Sequence, residues 1–398
     1  MAHKSDKQRV GILLNPAHKD KSAYRHLAWF WLIAFIFSAG CDLFKLPSPP
    51  PDLFYKYNVL PVGQGPAHLA TADLNLDGEA DIVSVNAKNS TLSILFGKGD
   101  GTFQDPLNIP VPSEPTFLAI TDLNNDGLPD LVVNARGANA FVTILGKGDN
   151  SFRFPRKHST GRVPLAIIVG DFNQDGKMDV AVTLTFDKIE IYLGNGNGFF
   201  KKGKTYLTGS RSFSGVSHDF NGDGISDIAL AVSSSNSSSI RIFWGNGDGT
   251  FKKPFRLANG LVPLALIKKD MNGDGFMDLI CTSGKGDNMY LFISNGDGTF
   301  QKEITFSGGG GPIARVGEHF NDDDQMDVVV ANSRSSTFSL IIRNPNGLFK
   351  FPVRDYVITG GTPLAITSGD YNHDGMMDVA VSSNAYNTVE IYLRRRIL

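Results

Sequence analysis

The sequence predicts an all-β fold, a seven-bladed β-propeller with four-stranded blades, and three observations predict it. The pattern Asp-x-Asn-x-Asp-Gly-x-x-Asp begins at Asp73, Asp122, Asp171, Asp219, Asp270 and Asp370, with a degenerate copy starting at His319. Seven copies at intervals of 48 to 51 residues fit a four-stranded blade as the repeating unit. The 43 glycines and 28 phenylalanines suit many short strands joined by tight turns rather than a helical enzyme. Finally, the last repeat stops at Leu393 without an outer strand, while an orphan strand-like stretch, Leu53-Phe-Tyr-Lys-Tyr-Asn-Val59, precedes the first loop. Residues 53–60 are therefore expected to complete the seventh blade and close the ring without free sheet edges.

Taken from the N-terminus, residues 1–26 carry Lys4, Lys7, Arg9, Lys19, Lys21 and Arg25 against Asp6 and Asp20, followed by an apolar run from Leu27 to Cys41. The run is shorter than the ~20 residues that span a bilayer as a helix, and it ends in small residues as a cleavage site does. Export through a signal peptide, residues 1–40, is the expectation. Ser38-Ala39-Gly40-Cys41 resembles the bacterial lipobox, which implies lipidation of Cys41 and a membrane contact through that anchor. Residues 41–52, with Pro47, Pro49, Pro50 and Pro51, read as a stiff polyproline tether. A single propeller domain is then expected over 53–398.

Each repeat follows one grammar. A strand opened by proline comes before the loop, as in Pro115-Thr-Phe-Leu-Ala-Ile120, Pro164-Leu-Ala-Ile-Ile-Val169 and Pro363-Leu-Ala-Ile-Thr367. After the loop comes a nearly continuous apolar run such as Val328-Val-Val-Ala331, the mark of a strand buried on both faces. A polar turn and an alternating strand follow, for example Ile189-Glu-Ile-Tyr-Leu193, with the period of two of a half-exposed strand. Then comes a Gly-rich hairpin such as Phe96-Gly-Lys-Gly-Asp-Gly-Thr-Phe103, whose last aromatic is expected to start the outer strand. Blade four departs from the grammar: Ser212-Phe-Ser-Gly-Val-Ser-His218 replaces the Pro-Leu-Ala strand.

The loops read as cation sites. Alternate positions of a tight loop point inward, so oxygen ligands at positions 1, 3, 5 and 9 and a backbone carbonyl at 7 can surround Ca2+, with Gly at position 6 for the sharp turn. The sets are Asp73, Asn75, Asp77 and Asp81; Asp122, Asn124, Asp126 and Asp130; Asp171, Asn173, Asp175 and Asp179; Asp219, Asn221, Asp223 and Asp227; Asp270, Asn272, Asp274 and Asp278; and Asp370, Asn372, Asp374 and Asp378. Asp, Asn and Gly also make good turns by side-chain-to-backbone hydrogen bonds. Three carboxylates in each of six loops exceed what a turn requires, because like charges at close range repel unless a cation offsets them. Only hard oxygen donors are present, which selects calcium over softer metals. The sixth loop keeps Asn321, Asp323 and Asp327 but has His319 in the first position and Asp324 in place of glycine, so a weak or empty site is expected there. An EF-hand is excluded, since neither a Glu at position 12 nor flanking helices appear.

The Phe-Gly-x-Gly-x-Gly hairpin beside Asp-x-Asn-x-Asp-Gly-x-x-Asp resembles the FG-GAP (VCBS-type) repeat of the integrin α-subunit propeller and of many bacterial envelope proteins. The resemblance implies a seven-bladed propeller with calcium in its loops, used for adhesion or recognition outside the cytoplasm. It implies no particular ligand.

Charge sharpens the reading. Without residues 1–40 the chain has 32 basic and 38 acidic residues, a net of −6, and twenty of those acids are loop ligands. No basic block occurs beyond Arg394-Arg395-Arg396, so the footprint of a nucleic-acid binder is missing. With two cysteines, Cys41 and Cys281, a disulfide scaffold is excluded, and Cys281 in Asp278-Leu-Ile-Cys-Thr reads as a buried, inert thiol. His68, His158, His218, His319 and His373 are scattered, and no nucleophile elbow or zinc motif is present. The turns expected opposite the calcium loops, 87–91, 136–140, 233–239, 332–336 and 384–387, are rich in Asn and Ser and suit hydrogen bonding to a glycan or protein surface. The expected function is an extracytoplasmic binding or adhesion module without catalysis; a polysaccharide-acting enzyme and a purely structural envelope component are the alternatives.

Overall fold

A computed structural model describes residues 52–398, apart from 234–237, 322, 324, 345, 348, 350–353, 359 and 397–398. The signal segment, Cys41 and the tether up to Pro51 lie outside the described residues. The described residues form seven four-stranded antiparallel sheets. In blade one the strands run from the innermost outward as Pro66–Ala72, Asp81–Asn86, Thr91–Leu95 and Leu107–Pro110. The next five blades repeat that order. Blade seven is built from Ile366–Gly369, Asp378–Ser383 and Thr388–Arg394, and its outer strand is Phe54–Pro61, paired antiparallel from Phe54↔Arg394 to Pro61↔Thr388. The closing strand is thus one residue displaced from the 53–60 read in the sequence, with a bulge between Lys56 and Asn58.

The second strand of every blade starts at the ninth loop position, and in six of the seven blades it is buried along its whole length, as at Asp130–Ala135 and Asp327–Asn332. The reason is visible in the packing. Seven apolar clusters form, and each joins two adjacent blades. Val83 and Leu92 of blade one meet Leu131 and Val142 of blade two, and Val379 and Tyr392 of blade seven meet Phe320 and Phe338 of blade six. A strand sandwiched between two neighbouring sheets has no solvent face, so its sequence does not alternate. Stability of this kind is a chain of neighbour-to-neighbour interfaces, and the strand Phe54–Pro61 supplies the missing member at the seam.

Two local readings need correction. The inner strand opens on its proline in blades one, three, five and six, at Pro66, Pro164, Pro263 and Pro312, whereas in blades two and seven it begins at Leu118 and Ile366, three residues after Pro115 and Pro363. The hairpin aromatic does not start the outer strand in most blades. Phe103, Phe152, Phe251, Phe300 and Phe349 each form a single bridge to the hairpin's first residue, and the outer strand follows later, at Leu107, Arg156, Phe255, Ile304 and Arg354. The ring turns inward to pack on the second loop residue of the preceding blade: Phe103 on Tyr371 at 5.7 Å and Phe251 on Phe172 at 5.5 Å. Blade three alone, whose strand is Phe200–Leu207, behaves as expected.

Candidate metal loops and the two faces of the ring

In each blade the Asp-rich loop joins the first strand to the second, and in blades one to six the Gly-rich hairpin joins the third to the outer one, so both lie on one face of the ring. The Asn/Ser turns between second and third strands lie on the other. On the loop face, the ninth aspartate is the pivot. Asp81, Asp130, Asp179, Asp227, Asp278, Asp327 and Asp378 are all fully buried. Asp81 Oδ2 accepts the backbone N–H of Leu74 at 2.8 Å and its Oδ1 accepts that of Gly97 at 2.8 Å. The same clamp recurs at Asp130 with Leu123 and Gly146, and at Asp227 with Phe220 and Gly245. It ties a loop to its own blade's hairpin. In blades one and three the approach leaves no room for a side chain, since a Cβ at Gly97 would sit 2.6 Å from the Ala80 carbonyl oxygen and one at Gly194 only 2.2 Å from that of Met178, whereas blades five, six and seven place Ser294, Arg343 and Arg394 in the same clamp.

The first, third and fifth positions lie at the exposed tip and organise the loop backbone. Asp73 Oδ1 and Oδ2 accept the N–H groups of Asp77 (3.1 Å) and Gly78 (2.9 Å), Asn75 Oδ1 accepts Asp77 N–H (3.1 Å), and Asp77 Oδ1 accepts Glu79 N–H (2.9 Å). Asp122, Asn124 and Asp126 repeat this set, and so do Asp171, Asn173 and Asp175. Asp219, Asn221 and Asp223 do the same. In loop five Asp270 Oδ2 holds Gly275, while Asn272 and Asp274 keep the repeat's roles. In loop seven Asp370 and Asp374 hold Asp374, Gly375 and Met376, and Asn372 Oδ1 is sealed from solvent with no hydrogen-bond partner. Among the described residues no group of three or more His, Cys, Asp or Glu side chains is drawn together closely enough to hold an ion without rearrangement. The donor chemistry nonetheless fits a hard cation: three carboxylates and one amide are carried on one short loop, and the Asn372 oxygen is an acceptor that lacks a donor.

Electrostatics distinguishes the ninth position from the rest. Burial raises the Asp81, Asp130, Asp179, Asp227 and Asp278 carboxyls to about 6, and the neighbouring loop aspartates add to the rise while the two amide hydrogen bonds oppose it. Asp327 and Asp378 rise to about 7, again chiefly by burial.

The sixth loop differs as its sequence announces. His319 Nδ1 shares a hydrogen bond with the Gln325 carbonyl at 3.2 Å, which is the seventh-position oxygen that a cation would use. Asn321 and Asp323 keep their loop roles, and Asp327 Oδ1 accepts Arg343 N–H at 2.9 Å. Asp322 and Asp324 lie outside the described residues.

One feature of the loops is only partly marked in the sequence. The fourth position has a positive φ, as at Leu76 (61°), Asn125 (57°), Gln174 (57°) and His373 (57°), a region costly for most side chains. Long polar side chains there reach the next loop: Asn125 Nδ2 donates to Gly176 O at 3.1 Å and Gln174 Nε2 to Gly224 O at 3.2 Å. In loops four and five the position is glycine, Gly222 (74°) and Gly273 (76°), which marks the left-handed conformation in the sequence; Leu76, Asn125, Gln174 and His373 share no such signal. Hairpins couple blades too, since Gly101 N–H donates to Tyr371 O at 2.7 Å and Gly249 N–H to Phe172 O at 2.9 Å. The five histidines that follow residue 52 are not brought together: His68 lies on an inner strand, His158 on an outer strand stacked on Phe141, His218 at an inner strand's end, and His319 and His373 in separate loops.

A family profile described as FG-GAP-like repeat matches residues 73–133, 122–182, 219–265, 270–316 and 319–381. The comparison with curated proteins gave no match. Among solved structures, BBS1N in complex with ARL6DN is similar at a TM-score of 0.60 and 14% identity, over 86% of this chain and 97% of that one. A lectin of Agrocybe aegerita, studied for recognition of non-reducing terminal N-acetylglucosamine, is similar at a TM-score of 0.54 and 17% identity, over 82% and 85% of the two chains. At these identities the likeness is one of fold.

Proposed function

Because the chain belongs to the FG-GAP-like repeat family, we propose that it is a calcium-binding propeller that works outside the cytoplasm as a recognition module for a glycan or a protein. The observation that carries the calcium part is the repeated loop: hard oxygen donors at four fixed positions, buried at the ninth and with an unpartnered amide oxygen at Asn372. Asp73, Asn75, Asp77 and Asp81, and their counterparts in blades two to five and seven, would hold the ions. Bound calcium would supply positive charge that offsets the clustered carboxylates and locks the loop tips. The residues themselves set the loop backbone through the amides they accept, and the ninth aspartate passes that order on to the hairpin.

Recognition fits the opposite face. Its turns are Asn- and Ser-rich, and Tyr386 in the turn 384–387 is 71% exposed, an aromatic plate of the kind that stacks on sugars or anchors protein partners. Structural neighbours with the same fold include one in complex with a protein and one that recognises a sugar. Export and lipidation at Cys41 would place this face outside the membrane on the 41–52 tether. The test is a glycan array probed with the full-length chain in calcium and after metal removal. Saturable binding to a defined glycan, lost in Tyr386→Ala, supports the glycan arm; a blank array under both conditions sinks that arm and leaves a protein ligand.

A further inference from the structure

At the centre of the ring the inner strands of six blades, with the residues just before them, line an open-mouthed cavity of about 470 Å3, within the size range of small-molecule sites. The inner strands share the pattern Pro-Leu-Ala, and alanine holds its third place at Ala166, Ala265, Ala314 and Ala365. The third position lines this space in six of the seven blades: Ala265, Ala314 and Ala365 keep the small side chain there, while blade one has His68, blade two Phe117 and blade four Ser214.

The walls have a definite chemistry. The His68 and Phe117 rings pack against each other with centroids 4.5 Å apart and planes tilted by 42°, forming an angled aromatic corner of the wall. Small side chains, Ala265 and Ala314, leave room opposite, and Ala67 leaves room beside His68. Ser214 is already satisfied, giving its hydroxyl proton to Leu266 O (3.2 Å) and accepting Leu266 N–H (2.9 Å). His68 is not: Nδ1 is sealed from solvent with no hydrogen-bond partner. Burial lowers the imidazole to about 4, so the ring is neutral at physiological pH and repels no uncharged guest. Water in such a space finds few polar partners and is readily displaced by an apolar group.

We infer that the central cavity is a binding site for a small, uncharged, mostly apolar molecule that packs against the Phe117 ring and the face of the neutral His68 imidazole. This site is separate from the loop face and the turn face, and it stands whether or not calcium binds.

The test uses the full-length chain and the neutral fluorophore N-phenyl-1-naphthylamine, whose single amine is its one polar group. The expected result is one saturable site per chain, weakened at least tenfold in Ala265→Phe and in Ala67→Phe, two variants that fill the space from opposite blades. Thermal melts must show these variants as stable as the parent, and the two are independent, so a misfolding variant leaves the other to decide. The His68 imidazole resonances should shift on probe addition. Absence of saturable binding to the parent chain, undiminished binding in a stably folded filled variant, or an unmoved His68 signal overturns the inference.

Discussion

Asp378 Oδ1 accepts the backbone N–H of Arg394 at 2.7 Å, so the last loop clamps the chain where the other blades would begin a hairpin. Arg394 in turn pairs with Phe54. A single buried carboxylate thereby links the seventh loop to the seam of the ring, and the same carboxylate in the other blades links loop to hairpin. This makes the ninth aspartate a structural residue in its own right, apart from any ion it helps to hold.

Asp130→Ala should therefore destabilise the protein with or without calcium. It strips the acceptor from two buried N–H groups, those of Leu123 and Gly146, at a cost of about 2–5 kcal/mol. Asp122→Ala affects exposed loop amides that water can satisfy, so its effect should show only when calcium is present. Denaturant unfolding of both variants in calcium and after metal removal checks the contrast; equal losses for the two in metal-free buffer would refute it.

The pH dependence has a definite sign. The seven ninth-position carboxyls rise from 3.8 to about 6 or 7 in the folded state, so the native protein retains protons that the unfolded chain releases. Stability is then lost as pH rises through that window and is level above it. His68 and His158, lowered from 6.5 to about 4, act the opposite way over an overlapping range but are fewer. The melting temperature of metal-free protein should fall between pH 4.5 and 7.5, and calcium should reverse the fall by favouring the charged carboxylates. A metal-free melting temperature that climbs across this range contradicts the assignment.

The seam should be the most sensitive site for truncation. Phe54 is buried and meets Phe320, Phe338 and Tyr356 edge-on at 5.7, 5.9 and 5.6 Å. Phe54→Ala should cost about 3–5 kcal/mol, read by denaturant unfolding. Removing Phe54–Pro61 bares the edge of Thr388–Arg394 and should produce oligomers by light scattering, since an unpaired edge recruits other strands.

Blade six offers a gain-of-site experiment. His319 occupies the first ligand position and bonds the Gln325 carbonyl. His319→Asp should free that carbonyl and add one calcium per chain, counted by atomic emission after equilibrium dialysis. An unchanged count would mean that Asp324 in place of glycine, rather than the histidine, disables the loop.

The ring, its seam and the positions of all seven loops were legible because each rests on strict local chemistry repeated at fixed spacing. The double burial of the second strands was legible for the same reason: runs such as Val328-Val-Val-Ala331 do not alternate. The dual role of the ninth aspartate was not, since ligand and clamp demand the same residue and only burial tells them apart. Nor was the left-handed fourth position where it is not glycine, at Asn125 and Gln174, whose side chains are held by the next loop. The inner-strand departures were visible as irregularities at Ser212–His218, but which side chains turn toward the axis is set by the register of seven sheets and cannot be read from one strand.

The pairing of Phe54–Pro61 with Thr388–Arg394 also orders events in time. A chain made from its N-terminus presents its first strand long before the partner of that strand exists, so the first strand must wait, unpaired, while six blades assemble. Closing so long a loop is entropically costly and slow, and the finished interfaces between blades must hold the two ends near each other until it happens. A chain lacking Thr388–Arg394 can therefore never latch, because Phe54–Pro61 would have no partner strand.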